Sequence, residues 1–122
     1  MRIRKTSQYI EGGAGLPSYF TTETNTGMKW IDGKTIYRKV IETTTPSTTS
    51  VATVASIPNL DKMINLNGML TYGNQQVPLM LSYSTTVLNA IMVEGTNINI
   101  KISANAYLSC DCFIIAEYTK SS

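Results

Sequence analysis

The sequence predicts an all-β fold, an antiparallel β-sandwich that is jelly-roll-like and preceded by an extended amino-terminal arm. Three observations predict it. Polar and apolar side chains alternate with a period of two over residues 97–104, the pattern of a pleated strand with one face on a core, and residues 36–41 read as a strand whose side chains point alternately to its two faces. Turn-forming residues (Asp32-Gly33, Pro46, Pro58-Asn59, Gly73-Asn74, Gly95-Thr96) separate about seven such segments at intervals of roughly 8–12 residues. No segment keeps a helical period of about 3.6 through two turns. Residues 1–27 read as the arm and 28–122 as the β domain.

The arm comes first. Glu11-Gly12-Gly13-Ala14-Gly15 is a hinge and Leu16-Pro17 opposes helix. Ser18 to Thr22 has the composition of a brief strand, ended by Thr24 to Gly27. Alone, the arm buries too little apolar area to offset its ordering entropy. It is therefore either disordered or laid against another chain. Tyr9, Ile10, Leu16, Tyr19 and Phe20 are the apolar groups that would anchor it.

Trp30, the sole tryptophan, reads as a buried anchor beside the turn at Asp32-Gly33, where glycine accepts a positive φ without a Cβ clash. Beyond it, Ile36, Arg38 and Val40 point one way and Tyr37, Lys39 and Ile41 the other. One charge on each face suits a first or edge strand. Residues 43–50 form a Thr-rich polar connection interrupted by Pro46. Residues 51–57 read as the next strand and 60–72 as a long one, with Gly68 marking a bulge or bend. Residues 77–83 and 87–94 are nearly continuous apolar chain, more than one small sandwich needs, so part of them is expected at a subunit contact. Ile98, Ile100, Ile102 and Ala104 face the core, with Asn97, Asn99, Lys101 and Ser103 toward water. The last strand covers about residues 110–118.

Composition narrows the chemistry. The chain has 122 residues, a charged fraction of 15% and a net charge of +2, too small to argue for nucleic acid as a partner. Arg2, Arg4 and Lys5 cluster at the amino end, where they read as a solvated tail. No apolar run of about 18 residues spans a membrane, and no apolar stretch of about 7–15 residues follows the basic start as a secretory signal requires. With no histidine, Ser-His-Asp and Cys-His catalysis within the chain are excluded. The eight acidic residues are scattered and nothing marks a glycosidase pair. Catalytic residues are therefore not expected, nor is a cofactor.

Cys110 and Cys112 flank a single residue. On an extended strand their side chains sit about 6–7 Å apart, whereas a disulfide wants Cβ atoms about 3.8 Å apart. Two thiols without histidine do not complete a zinc site, short of a symmetric assembly that gathers thiols from several copies. Two reduced, packed cysteines and no metal are expected.

Binding is the remaining chemistry. A saccharide site combines an exposed aromatic ring with hydroxyl and amide groups around it. Tyr72, Tyr83 and Tyr107 fall near strand ends, beside Asn74, Gln75, Gln76, Ser84 and Asn105. Tyr72, Asn74, Gln75, Tyr83 and Tyr107 are the candidate ligand-binding residues.

Three phrases carry a resemblance. Trp30-Ile31-Asp32-Gly33-Lys34-Thr35-Ile36-Tyr37-Arg38-Lys39 is followed by Leu60-Asp61-Lys62-Met63-Ile64 and by Glu117-Tyr118-Thr119-Lys120. In that order, over about residues 28–120, they resemble small carboxy-terminal β domains of bacteriophage tail-fibre, receptor-binding, baseplate and head-fibre virion proteins. The resemblance implies a virion protein made in a bacterial cytoplasm and released by lysis, and brings no catalytic residue. It implies a homotrimer that attaches to a host surface receptor, a cell-surface glycan. The alternative is a structural head-fibre or capsid decoration protein, held to other virion proteins by its arm. The shortness of the chain ahead of the β domain favours the alternative; the tail-fibre likeness favours attachment.

Overall fold

The computed structural model describes residues 18–79 and 89–121. Expectations for Tyr9, Ile10, Leu16, Tyr83 and Ser84 lie outside the described residues. Among those described, the elements run β1 (Thr24–Lys29), β2 (Thr35–Thr44), β3 (Ala52–Ser56), β4 (Leu60–Tyr72), β5 (Gln75–Pro78), β6 (Asn89–Glu94), β7 (Asn97–Ile102), a single 3-10 turn (Asn105–Tyr107) and β8 (Asp111–Lys120). They form two antiparallel sheets, a five-stranded one in the order β1-β2-β8-β4-β5 and a three-stranded one in the order β3-β7-β6. This is the all-β sandwich the alternation predicts. No helix among the described residues is long and apolar enough to cross a membrane.

The wrap is jelly-roll-like. β2 pairs with β8 in one sheet and β3 pairs with β7 in the other. The chain therefore leaves one sheet for the other twice along the same route, once after β2 and once before β8. β8 sits at the centre, pairing with β2 from Tyr37↔Tyr118 to Thr44↔Asp111 and with β4 from Leu60↔Lys120 to Leu70↔Cys112.

The core lies between the sheets. Ile98, Ile100 and Ile102 of β7 share it with Ile114, Ala116 and Tyr118 of β8, all at 0% exposure. Each isoleucine so buried contributes about 1.5–3 kcal/mol of hydrophobic stabilisation relative to an exposed one. Leu79, Ala90 and Ile91, from the apolar segments expected at a subunit contact, are buried too, and Leu79 and Ile91 belong to this same core.

Several expectations are corrected. β1 begins at Thr24, and Thr24 and Asn25 pair with Arg38 and Tyr37, so a boundary after residue 27 cuts through a strand. β2 is flanked by β1 and β8 rather than lying at an edge, although β1 pairs with it only over Thr35 to Arg38. Charge on both faces is tolerated because Arg38 meets Glu117 on β8, 2.7 Å away. Trp30 is half-buried rather than buried, and the adjacent Ile31 is 90% exposed at the turn. Asn99 faces no water. As the middle strand of its sheet, β7 is covered by both neighbours; Asn99 accepts a hydrogen bond from Thr53 Oγ1 (2.7 Å) and donates to Glu94 Oε1 (3.0 Å).

Gly68 marks no bulge. It stays in register with Ile114, and the register of β4 shifts instead between Leu60 and Lys62 and between Met63 and Asn65. A Cβ at position 68 would stand 2.8 Å from Leu79 Cδ1 and 2.9 Å from the Phe113 carbonyl. Glycine is there because two neighbours approach its backbone.

Candidate functional site

The strand ends that bracket the start of β8 gather the candidate ligand residues. β4 ends at Tyr72, and Gly73-Asn74 turns the chain so that Gln75 pairs back with Tyr72. Gly73 adopts φ +61°, which a tight hairpin demands and glycine supplies without strain. Pairing of Leu70 with Cys112 brings this hairpin beside the segment leading into β8, where the 3-10 turn carries Tyr107.

The rings of Tyr72 and Tyr107 meet edge to face, with centroids 5.5 Å apart and planes at 79°. Such pairs prefer this geometry because the positive ring edge meets the negative face. Tyr72 remains 44% exposed, Tyr107 is half-buried, and Asn74 and Gln75 are exposed. Thus the structure brings together four of the five candidate ligand residues, and Tyr83 lies outside the described residues. Gln76 and Asn105, also exposed, belong to the same end.

Thr45 supports this end, and the sequence reading did not single it out. Its side chain is buried at 2% exposure. Oγ1 donates to the Tyr107 carbonyl (2.6 Å) and accepts from the Cys110 N–H (2.8 Å), while its own N–H donates to the Cys110 carbonyl (2.8 Å). One hydroxyl thereby ties the turn bearing Tyr107 to the end of β2. A threonine inside a run of hydroxyl residues carries no local signal of such a task; only its burial reveals it.

The arrangement offers an aromatic surface ringed by amides. Two of the surface grooves among the described residues lie elsewhere. One, of about 740 Å³, is lined mainly by apolar groups such as Leu66, Met69, Pro78 and Phe113, with Asn67 among them, and holds no carboxylate. The other, of about 430 Å³, lies between β2 and β3 and contains a single carboxylate, Glu42. General acid–base chemistry by a carboxylate pair thus has no partner in either groove. Among the described residues, no group of three or more His, Cys, Asp or Glu side chains is placed to hold a metal.

The cysteines are free thiols: Cys112 is buried and Cys110 half-buried, with Cys110 Sγ directed at the Ala106 and Leu108 carbonyls. Burial, together with the charge of Asp111 and the neighbouring Cys110, pushes the Cys112 thiol up to about 11. Of the arm residues, Tyr19 and Phe20 are described. Both are exposed, at 59% and 48%, with the Tyr19 ring lying 4.7 Å below the Arg38 guanidinium. Comparison with protein-family models, with curated proteins and with solved structures returned no match.

Proposed function

We propose that this chain is a bacteriophage virion protein, a trimeric β knob that attaches the particle to a glycan on the host surface. The observation that carries the reading is the Tyr72–Tyr107 pair at one end of the sandwich, with the amides of Asn74 and Gln75 exposed beside it. A sugar ring presents C–H groups that pack on an aromatic face and hydroxyls that hydrogen-bond to neutral amides, and this end supplies both. The resemblance of the three phrases to phage fibre domains supports the setting. In this role the site binds and does no chemistry, the loops facing the host while the arm joins the knob to other virion proteins.

A glycan array probed with the full chain tests the reading. Binding to at least one glycan class is expected, weakened tenfold or more by Tyr72→Ala. An array with no signal overturns attachment and favours the second reading, a structural head-fibre or capsid decoration protein. The exposed Tyr19 and Phe20 at the root of the arm favour that second reading, since they are apolar groups available for anchoring.

A further inference from the structure

Two aspartyl- or asparaginyl-glycine pairs occur in the sequence, Asp32-Gly33 and Asn67-Gly68. Such pairs age by one reaction. The glycine nitrogen attacks the side-chain carbonyl carbon of the residue before it, since glycine has no Cβ to block the approach. Water leaves from a protonated aspartate, or ammonia from an asparagine, and a five-membered succinimide ring closes. Water then adds to either ring carbonyl, giving an aspartyl or an isoaspartyl linkage. In an unfolded chain the asparagine reacts faster, because an ionised carboxylate resists attack by a nitrogen.

The fold works against Asn67. It lies within β4, where Asn67 pairs with Ile115 and Gly68 with Ile114 of β8. Extended backbone turns the glycine nitrogen away from the asparagine side-chain carbon, so ring closure requires the planar peptide between them to swing out of the sheet. The space for that is taken: a Cβ on Gly68 would stand 2.8 Å from Leu79 Cδ1 and 2.9 Å from the Phe113 carbonyl oxygen. The Gly68 carbonyl is also held, accepting from the Leu79 N–H at 2.9 Å. The Asn67 amide is engaged as well, donating to Asn65 Oδ1 at 2.7 Å.

Asp32-Gly33 is placed differently. Both residues are exposed in the turn between β1 and β2. Gly33 has φ +89°, and nothing lies within 4 Å of where its Cβ would stand. Asp32 Oδ1 accepts from the Lys34 N–H at 3.0 Å, so the carboxyl spans the Gly33 amide. Rotating that peptide breaks one backbone hydrogen bond of Gly33, from its N–H to the Trp30 carbonyl at 2.9 Å. At an exposed hairpin tip such local opening costs little.

We infer that Asp32 is a site of spontaneous succinimide and isoaspartate formation in the native protein, and that folding silences Asn67. The bond formed joins Gly33 N to Asp32 Cγ; the bond broken is Asp32 Cγ–O, and the amide proton departs with the hydroxyl as water. Isoaspartyl opening cleaves the bond from Gly33 N to the Asp32 main-chain carbonyl carbon, so the chain then runs through Cγ and is one carbon longer. That extra carbon enters a tip closed by the Trp30 N–H on the Lys34 carbonyl at 2.9 Å. The inference goes beyond the proposed function and stands or falls separately from glycan binding.

Incubation of the full chain at about pH 5.5 in water enriched in oxygen-18 tests it. Each ring opening leaves one heavy oxygen, which mass spectrometry of tryptic peptides counts, and electron-transfer fragmentation separates isoaspartate from aspartate. Trypsin releases Asp32 within residues 30–34 and Asn67 in a different peptide. In the native protein, heavy oxygen and isoaspartate at position 32 are expected, with at least fivefold less conversion at Asn67. In concentrated urea, Asn67 converts at least fivefold faster than it does when folded. Absence of heavy oxygen at Asp32 in the native protein overturns the inference. Native conversion of Asn67 at the rate of Asp32, or conversion of Asn67 no faster in urea, overturns it too. Asp32→Ser, whose folding is checked by circular dichroism, removes the label from residues 30–34; label that persists there overturns the assignment to Asp32.

Discussion

The Tyr118 hydroxyl donates a 2.7 Å hydrogen bond to the carboxylate of Glu23, 95 residues away in the chain. The tyrosine is fully buried and stacks on Tyr37, and Lys120 approaches the second Glu23 oxygen at 2.9 Å. Glu23 thus fastens the segment before β1 to the end of β8. Glu23→Ala leaves the phenol without its partner, and a loss of about 1–3 kcal/mol is expected. Urea denaturation checks it; Glu23→Gln, whose amide oxygen still accepts from Tyr118, loses less.

Acid weakens the same contacts. Burial alone raises the Glu23 carboxyl, but hydrogen bonds from Tyr118 and Lys120 and the charges of Lys120 and Lys39 outweigh it, leaving its pKa below the usual value. Asp61 is lowered chiefly by its hydrogen bond from Lys34, then by that from Thr119. For both, the folded pKa lies below the unfolded one, so the unfolded chain binds more protons in the window between them. Their stabilisation is complete above the ordinary carboxylate values of about 3.9–4.3 and fades as pH falls through the folded values. Melting temperature is expected to decline below about pH 4, more shallowly for Glu23→Gln; a flat profile to pH 3 contradicts this.

Thr45→Val keeps the shape of residue 45 and removes its hydroxyl. The Tyr107 carbonyl then loses a donor and the Cys110 N–H an acceptor, at a cost of about 1–3 kcal/mol. Amide exchange checks the local effect: the Cys110 amide exchanges faster, while the β7 amides keep their protection relative to global unfolding.

Ile100 is fully buried in the middle strand of the smaller sheet. Ile100→Asp puts an unpaired carboxylate there, and loss of the cooperative thermal transition is expected. A folded variant with a normal melt would contradict the facing of β7.

The two thiols differ in reach. Cys110 is half-buried at a loop and Cys112 buried in the core, its thiol pushed up to about 11. At pH 8 a thiol reagent is expected to label Cys110 within the native state and Cys112 only as the domain opens. Equal rates for both sites, read by mass spectrometry, would overturn the assignment.

Much of the fold was legible because strand formation is written locally. The period-two run of β7, the turns at Gly73-Asn74 and Gly95-Thr96, and the absence of helical period follow from side-chain chemistry within a few residues. The site was legible in part: Tyr72, Asn74 and Gln75 share a hairpin, so their proximity is a local matter. What the tertiary structure alone decided is which distant strands became neighbours. Tyr107 meets Tyr72, Asn99 becomes buried and Glu23 reaches Tyr118 because β8 inserts between β2 and β4 and β7 between β3 and β6. Alternation assigns a residue to a face, but hydrogen bonding between strands far apart in the chain sets what lies across from that face, and no local pattern carries that information.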